Sequence, residues 1–186
     1  DQIIPAFTLA NLIRKKMPKS KIVMGGQMIT RCHESMAKSQ PLSHYYDYLV
    51  LWDGEKGLYD IHQEVISGKN VEFVNVIKNG DNRKNRIRRL EGAPTVKQIP
   101  HADFSDIDFN RYFYPEILVP FQTTRGCYAS CAFCAIPFGS NGYKVRRFDT
   151  VVDDMLRIQE EIFAKYGKIA TYFKFMEDTS APSALS

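Results

Sequence analysis

The stretch TTRGCYASCAFCAIPFG, residues 123–139, gathers three of the chain's four cysteines, Cys127, Cys131 and Cys134, into a CxxxCxxC spacing. Thiolates are donors for zinc and for iron–sulfur clusters. A structural zinc site needs four ligands in a tetrahedron, yet His33, His44, His62 and His101 all lie upstream and no histidine follows Cys134. A ferredoxin-type cluster takes four cysteines, commonly with two-residue gaps; here the first gap is longer, and the fourth cysteine, Cys32, lies far upstream. Three unligated thiols could also be small core residues, but Arg125, Gly126 and Ser130 are poor core composition. Three thiolates on a 4Fe–4S cluster would leave one iron with an open coordination position, as catalytic metal sites do.

The bulk numbers are compatible with such a site. The chain has 186 residues, 44% hydrophobic and 25% charged, ordinary for a globular protein of one sizeable or two small domains. No apolar run approaches the roughly 18 residues of a membrane span, and no basic-then-apolar leader opens the chain, so no membrane partner is expected. The net charge of +4 is too mild to imply nucleic acid. The densest basic stretch, residues 78–92, reads as a solvated hairpin edge. One tight cysteine cluster and one distant cysteine fit a reducing cytoplasm and a metal site better than a disulfide framework.

Working outward, the first hundred residues alternate between helical and strand periodicity. Residues 1–18 read as a helix with Ile4, Phe7, Leu12 and Ile13 near one face. Residues 21–26 (KIVMGG) read as a buried strand ending in two glycines, residues 31–40 as a helix and residues 45–52 as a strand. Residues 55–69 read as a helix that repeats Leu58, Ile61, His62 and Val65 and stops at Gly68. Residues 71–90 read as strand, Asn79-Gly80 turn, strand. This alternation predicts a parallel sheet covered by helices, with an antiparallel addition at one edge. Residues 92–116 break the pattern and read as an irregular linker that packs its aromatics onto a neighbour. A strand then runs from residue 116 into the cysteine loop. A helix over residues 149–167 follows, with a capping box at Thr150 and Asp153 and a stop at Gly167. A strand over residues 169–178 completes the unit. One strand–loop–helix–strand unit cannot bury both faces of its sheet, so further strands are expected beyond Ser186 in a longer parent.

The cysteine stretch, with Phe133 before the last cysteine and a strand before the first, resembles the radical S-adenosylmethionine (SAM) superfamily signature CxxxCxΦC at the mouth of a first barrel strand. The surrounding residues resemble the branch in which a cobalamin-binding domain precedes the radical SAM domain. Asp103-Phe104, Tyr112 or Tyr114, and Pro115 resemble its linker pattern. KIVMGG resembles the strand and glycine pair near the cobalamin nucleotide tail. The stretch YDYLVLWDGEKGLYDI resembles its D-x-v-v-x-G-E-G-E loop, departing at Gly54-Glu55-Lys56-Gly57. The branch often carries Asp-x-His-x-x-Gly, whose histidine is cobalt's lower ligand. No such pattern occurs here; it would fall before Asp1, or be lacking.

The resemblance implies an α/β chain. Residues 1–91 would form a partial Rossmann-like (flavodoxin-like) cobalamin-binding domain and residues 92–116 a linker. Residues 117–186 would form the first strand–loop–helix–strand of a radical SAM partial (β/α) barrel. It implies Cys127, Cys131 and Cys134 as ligands of a 4Fe–4S cluster, Phe133 near the SAM adenine, and Glu177 and Asp178 at the SAM amino group. Gly25 and Gly26 would let backbone approach a cofactor phosphate or nucleotide. The expected activity is reductive cleavage of SAM to a 5′-deoxyadenosyl radical, then cobalamin-dependent methylation of an unactivated carbon in a natural-product or peptide substrate. The electron donor would be a flavodoxin or ferredoxin. Rearrangement or cyclisation without methyl transfer, and a non-catalytic iron–sulfur or zinc module, are the alternatives.

Overall fold

The computed structural model describes residues 2–81, 87–89 and 101–178, and among them no helix is long and apolar enough to cross a membrane. The chain divides into two compact units. The first comprises Asp1–Pro94 and Cys131–Asn141, the second Thr95–Ser130 and Gly142–Ser186.

In the first unit, helix α1 (Ile3–Lys16), strand β1 (Val23–Met24), helix α2 (Gln27–Lys38), strand β2 (Tyr48–Val50), helix α3 (Glu55–Val65) and strand β3 (Val76–Lys78) follow in order. The sheet order is β1-β2-β3, with β1 parallel and β3 antiparallel to β2. All three β2 residues are buried, as expected of a strand covered on both faces. Leu49 and Leu51 pack with Ala10 of α1 and Ile29 and Met36 of α2. The alternate residues Tyr48 and Val50 pack with Ile61 of α3 and with Val76.

The helix faces differ from the sequence expectation. On α1 the inward residues are Phe7, Ala10 and Ile13, while Ile4 and Leu12 are exposed. Ala10, the most buried residue of α1, sets the face, and hydrophobicity alone does not reveal it. On α3 the buried residues are Gly57, Asp60 and Ile61, while Leu58 and Val65 are exposed. A Cβ on Gly57 would stand 2.8 Å from Val50 Cγ1, so the glycine lets α3 settle on the sheet. Helix α2 begins at Gln27, directly after Gly26, four residues before the predicted start.

The edge strand also starts later than predicted. Asn75 adopts a left-handed φ of 59°, which asparagine tolerates better than most residues. Its side chain donates to the Arg88 carbonyl at 2.9 Å and accepts the Arg88 N–H at 2.7 Å, imitating a strand pair. The Asn79-Gly80 turn is closed by Asp81 N–H to the Lys78 carbonyl. Much of the predicted return strand, and the start of the linker, lie outside the described residues.

In the second unit, β4 (Leu118–Phe121) pairs in parallel with β7 (Tyr172–Phe175) across helix α5 (Phe148–Tyr166). Val119 and Phe121 point onto Val151, Ile158 and Ile162 of α5, while Pro120 and most of β7 are exposed. Phe104 and Phe109 of the predicted linker pack on this core, whereas Tyr112, Phe113 and Tyr114 are exposed. Helix α5 stops at Gly167, φ 64°, as predicted. Its start differs: the cap position is Arg147, and Asp149 accepts from the Thr150 N–H and from Arg147, so Thr150 and Asp153 lie inside the helix and form no capping box.

A feature not predicted is the antiparallel pair β5 (Thr124–Arg125) and β6 (Lys144–Val145). A short helix, α4 (Ile136–Gly139), lies in the chain between them and packs in the first unit, where a Cβ on Gly139 would stand 3.0 Å from Gln27 Cβ.

Candidate functional site

Strand β4 leads through Gln122 and Thr123 into β5, and the chain returns in β6, so the β5–β6 pair is a stalk at the base of the cysteine segment. Arg146 N–H to the Thr123 carbonyl, 2.9 Å, extends it. The left-handed φ of 78° at Gly126 turns the chain out of the stalk immediately before Cys127. The Ala129 N–H donates to Cys127 Sγ at 3.4 Å. The Cys134 N–H donates to the Cys131 carbonyl at 3.0 Å, closing a turn that brings these two residues together. Phe133, inside that turn, is 93% exposed and belongs to no core.

All three thiols are free; Cys131 is exposed and the other two are half-buried. The donor chemistry fits an iron–sulfur cluster: soft ligands, no disulfide, partial solvent access. Among the described residues no three His, Cys, Asp or Glu side chains are gathered as a metal cage, so the segment supplies donors and no formed cage. Cys32 and His33 make no site of their own. The Cys32 thiol lies 3.7 Å from Met28 Sδ, and His33 Nδ1 is 2.6 Å from the Thr30 carbonyl.

Glu177 follows β7. Its Oε1 accepts the Thr123 N–H at 2.8 Å, the Thr124 N–H at 3.2 Å and the Thr123 hydroxyl. One carboxylate oxygen therefore fixes the entry to the stalk, a positioning role the sequence did not signal. Asp178 is exposed. A cleft of about 430 Å³ beside this turn is lined by Phe121, Thr123, Arg125, Lys144, Arg146 and Met176, a cationic wall suited to a carboxylate or phosphate. Arg146 lies over the Phe121 ring at 5.6 Å and pairs with Asp154, 1% exposed, which also meets His101 Nδ1. Arg146 is thus a partner of a buried carboxylate. Nearby, loss of solvent pushes the Tyr143 phenol up, and the Glu177 carboxylate adds to the shift.

Gly25 and Gly26 join β1 to α2. A Cβ on Gly25 would stand 3.2 Å from the Val50 carbonyl, whereas Gly26, φ 92°, has open space where its side chain would be. A cleft of about 370 Å³ alongside is lined by Phe7, Met24, Gly25, Gln27 and Met28 among others. Exposed backbone and an open cradle at the end of a parallel strand fit a bound cofactor.

No family model matches the chain. A stretch of 63 residues, 33% of the chain, is 36% identical to bacteriochlorophyllide d C-12(1)-methyltransferase of Chlorobaculum tepidum and spans 13% of that protein. The fold is similar to that of the radical S-adenosylmethionine methyltransferase TsrM from Kitasatospora setae, solved with tryptophan substrate and a SAM analogue (aza-SAM) bound. The TM-score is 0.65 and the identity 21%, over 95% of this chain and 33% of TsrM. The mixed α/β architecture is shared, and the chain spans about a third of that neighbour's length.

Proposed function

We propose that the chain is part of a cobalamin-dependent radical SAM methyltransferase acting on an unactivated carbon of a small-molecule or peptide substrate. The observation that carries the reading is three free thiols in CxxxCxxC spacing, in the segment that leaves a parallel strand through a turn braced by Glu177. Both named neighbours are methyltransferases, which favours methyl transfer over rearrangement.

When bound, a 4Fe–4S cluster supplies the electron that cleaves the sulfonium of SAM, and cobalamin supplies the methyl carrier. The protein's own residues bind and orient. Cys127, Cys131 and Cys134 would hold the cluster through their thiolates. Phe133, already outside any core, covers the adenine. Asp178 takes the SAM amino group, with Glu177 contributing whatever its bonds to Thr123 and Thr124 leave. Gly25 and Gly26 admit the cobalamin nucleotide to the end of β1. A flavodoxin or ferredoxin of the cytoplasm supplies the electron.

Anaerobic reconstitution with iron and sulfide tests this. The expected result is a 4Fe–4S electron paramagnetic spectrum that SAM perturbs and that is lost in Cys127→Ala, Cys131→Ala and Cys134→Ala. A zinc-loaded protein, or a cluster indifferent to SAM, overturns the proposal.

A further inference from the structure

The first unit contains a corner where buried polar atoms have no hydrogen-bond partner: Trp52 Nε1, Ser140 Oγ and Asn141 Oδ1. Ser140 is 9% and Asn141 7% exposed. Buried polar groups are almost always paired, because leaving one unpaired costs stability. Asn141 bonds the side chain of Asp53, next to Trp52, so these unpaired atoms belong to loop positions that one hydrogen bond ties together.

The rest of each residue is firmly engaged. The Ser140 carbonyl accepts from Arg89 Nε at 3.0 Å and Nη2 at 2.6 Å. Asn141 Nδ2 donates to Asp53 Oδ2 at 2.8 Å, bringing Ser140 and Asn141 to the residue next to Trp52. The carboxylate only accepts, so the Asn141 amide must turn its nitrogen to Asp53 and present its oxygen elsewhere. Trp52 adopts a left-handed φ of 57°, rare for a bulky side chain and typical of functional sites. Its N–H is held by Thr30 Oγ1 at 2.9 Å. Trp52 follows β2 as Gly25 follows β1, and the two strands are parallel; ligands of parallel sheets gather outside such carboxyl ends.

The indole offers only a donor, the Asn141 oxygen only an acceptor, and the Ser140 hydroxyl either. A primary carboxamide has the complementary set, one carbonyl and two N–H. We propose that Trp52, Ser140 and Asn141 recognise a peripheral carboxamide of a corrinoid; this rests on the cobalamin reading above.

Spectrophotometric titration with hydroxocobalamin tests the assignment. Trp52→Phe and Ser140→Ala each remove one polar atom, and Asn141→Ala the acceptor. Each is expected to raise Kd about tenfold, a typical lost hydrogen bond. Each should also shrink the preference for hydroxocobalamin over a corrinoid whose peripheral amides are methyl esters. Ser140→Ala should leave the melting temperature of the cofactor-free protein unchanged or raised, since it deletes an unpaired buried hydroxyl. Unchanged Kd and preference in the variants, or a lowered melting temperature in Ser140→Ala, overturns the carboxamide assignment while leaving corrinoid binding intact. A wild-type protein that takes up no corrinoid overturns the cobalamin reading itself.

Discussion

Glu177 Oε1 accepts the Thr123 N–H at 2.8 Å, tying the residue after β7 to the turn that leaves β4 for the cysteine segment. Glu177→Ala strands two backbone N–H groups and a hydroxyl, and should cost about 1–3 kcal/mol in chemical denaturation. The adjacent exposed Asp178 behaves differently: Asp178→Asn should change stability by less than about 0.5 kcal/mol while weakening SAM binding by calorimetry. Equal effects of both variants on stability would refute this division of roles.

Phe133 is 93% exposed, so Phe133→Ala should leave the melting temperature unaltered. SAM affinity of the reconstituted protein should fall, because a covering ring contributes on the order of 1 kcal/mol to a stacked base. A loss of stability without loss of SAM binding would make Phe133 a packing residue.

Asp154 is buried against Arg146 and His101. Removing one member of a buried ion pair leaves the other uncompensated, so Asp154→Ala should destabilise by about 3–5 kcal/mol. Asp154→Leu combined with Arg146→Met should recover most of that loss, measured by urea unfolding. Non-recovery would show that the charge itself is needed.

Asp47 links α1 to the sheet. Its Oδ2 accepts the Ile22 N–H at 2.8 Å and Arg14 Nη2 at 2.7 Å. Burial pushes its carboxyl up, but these bonds and the nearby charges outweigh it and hold the carboxyl below the usual range. A depressed folded value stabilises at pH above the unfolded value of about 4 and is lost as pH falls through the folded one. Asp47→Asn should therefore cost about 2 kcal/mol at pH 7, and the gap from wild type should close on acidification. A gap independent of pH would assign the effect to packing.

Gly57→Ala reverses a general rule. Alanine ordinarily favours a helix over glycine by about 1 kcal/mol, but here the added methyl would meet Val50 and Val76 at 2.8 and 3.0 Å. Thermal unfolding should show a net loss of about 1–2 kcal/mol. A stabilised variant would mean that α3 shifts without cost.

The sequence made the elements with strong periodicity legible: α1, β2, α3, α5 and the end of α5 at Gly167. It also exposed the cysteine spacing, which is a matter of chemistry and needs no coordinates. It did not reveal the β5–β6 stalk, because two-residue strands carry no periodic signal and their pairing is long-range. The buried faces of α1 and α3 were misread because Ala10 and Gly57, small residues that are buried, outrank larger neighbours. Glu177 as a brace and the unpaired Ser140 and Asn141 became visible only through burial and partners, which composition does not encode.

Thr123 and Glu177 stand 54 residues apart in the chain, with the 19-residue helix α5 between them. The clustered cysteines and the brace that fixes the base of their loop are therefore encoded on opposite sides of that helix. A chain cut within α5 would keep every thiol and lose the brace, β7 and the parallel pairing together. Such a product would retain the thiols and lose the scaffold at the start of their loop, so the integrity of α5 decides whether that loop leaves from a fixed base.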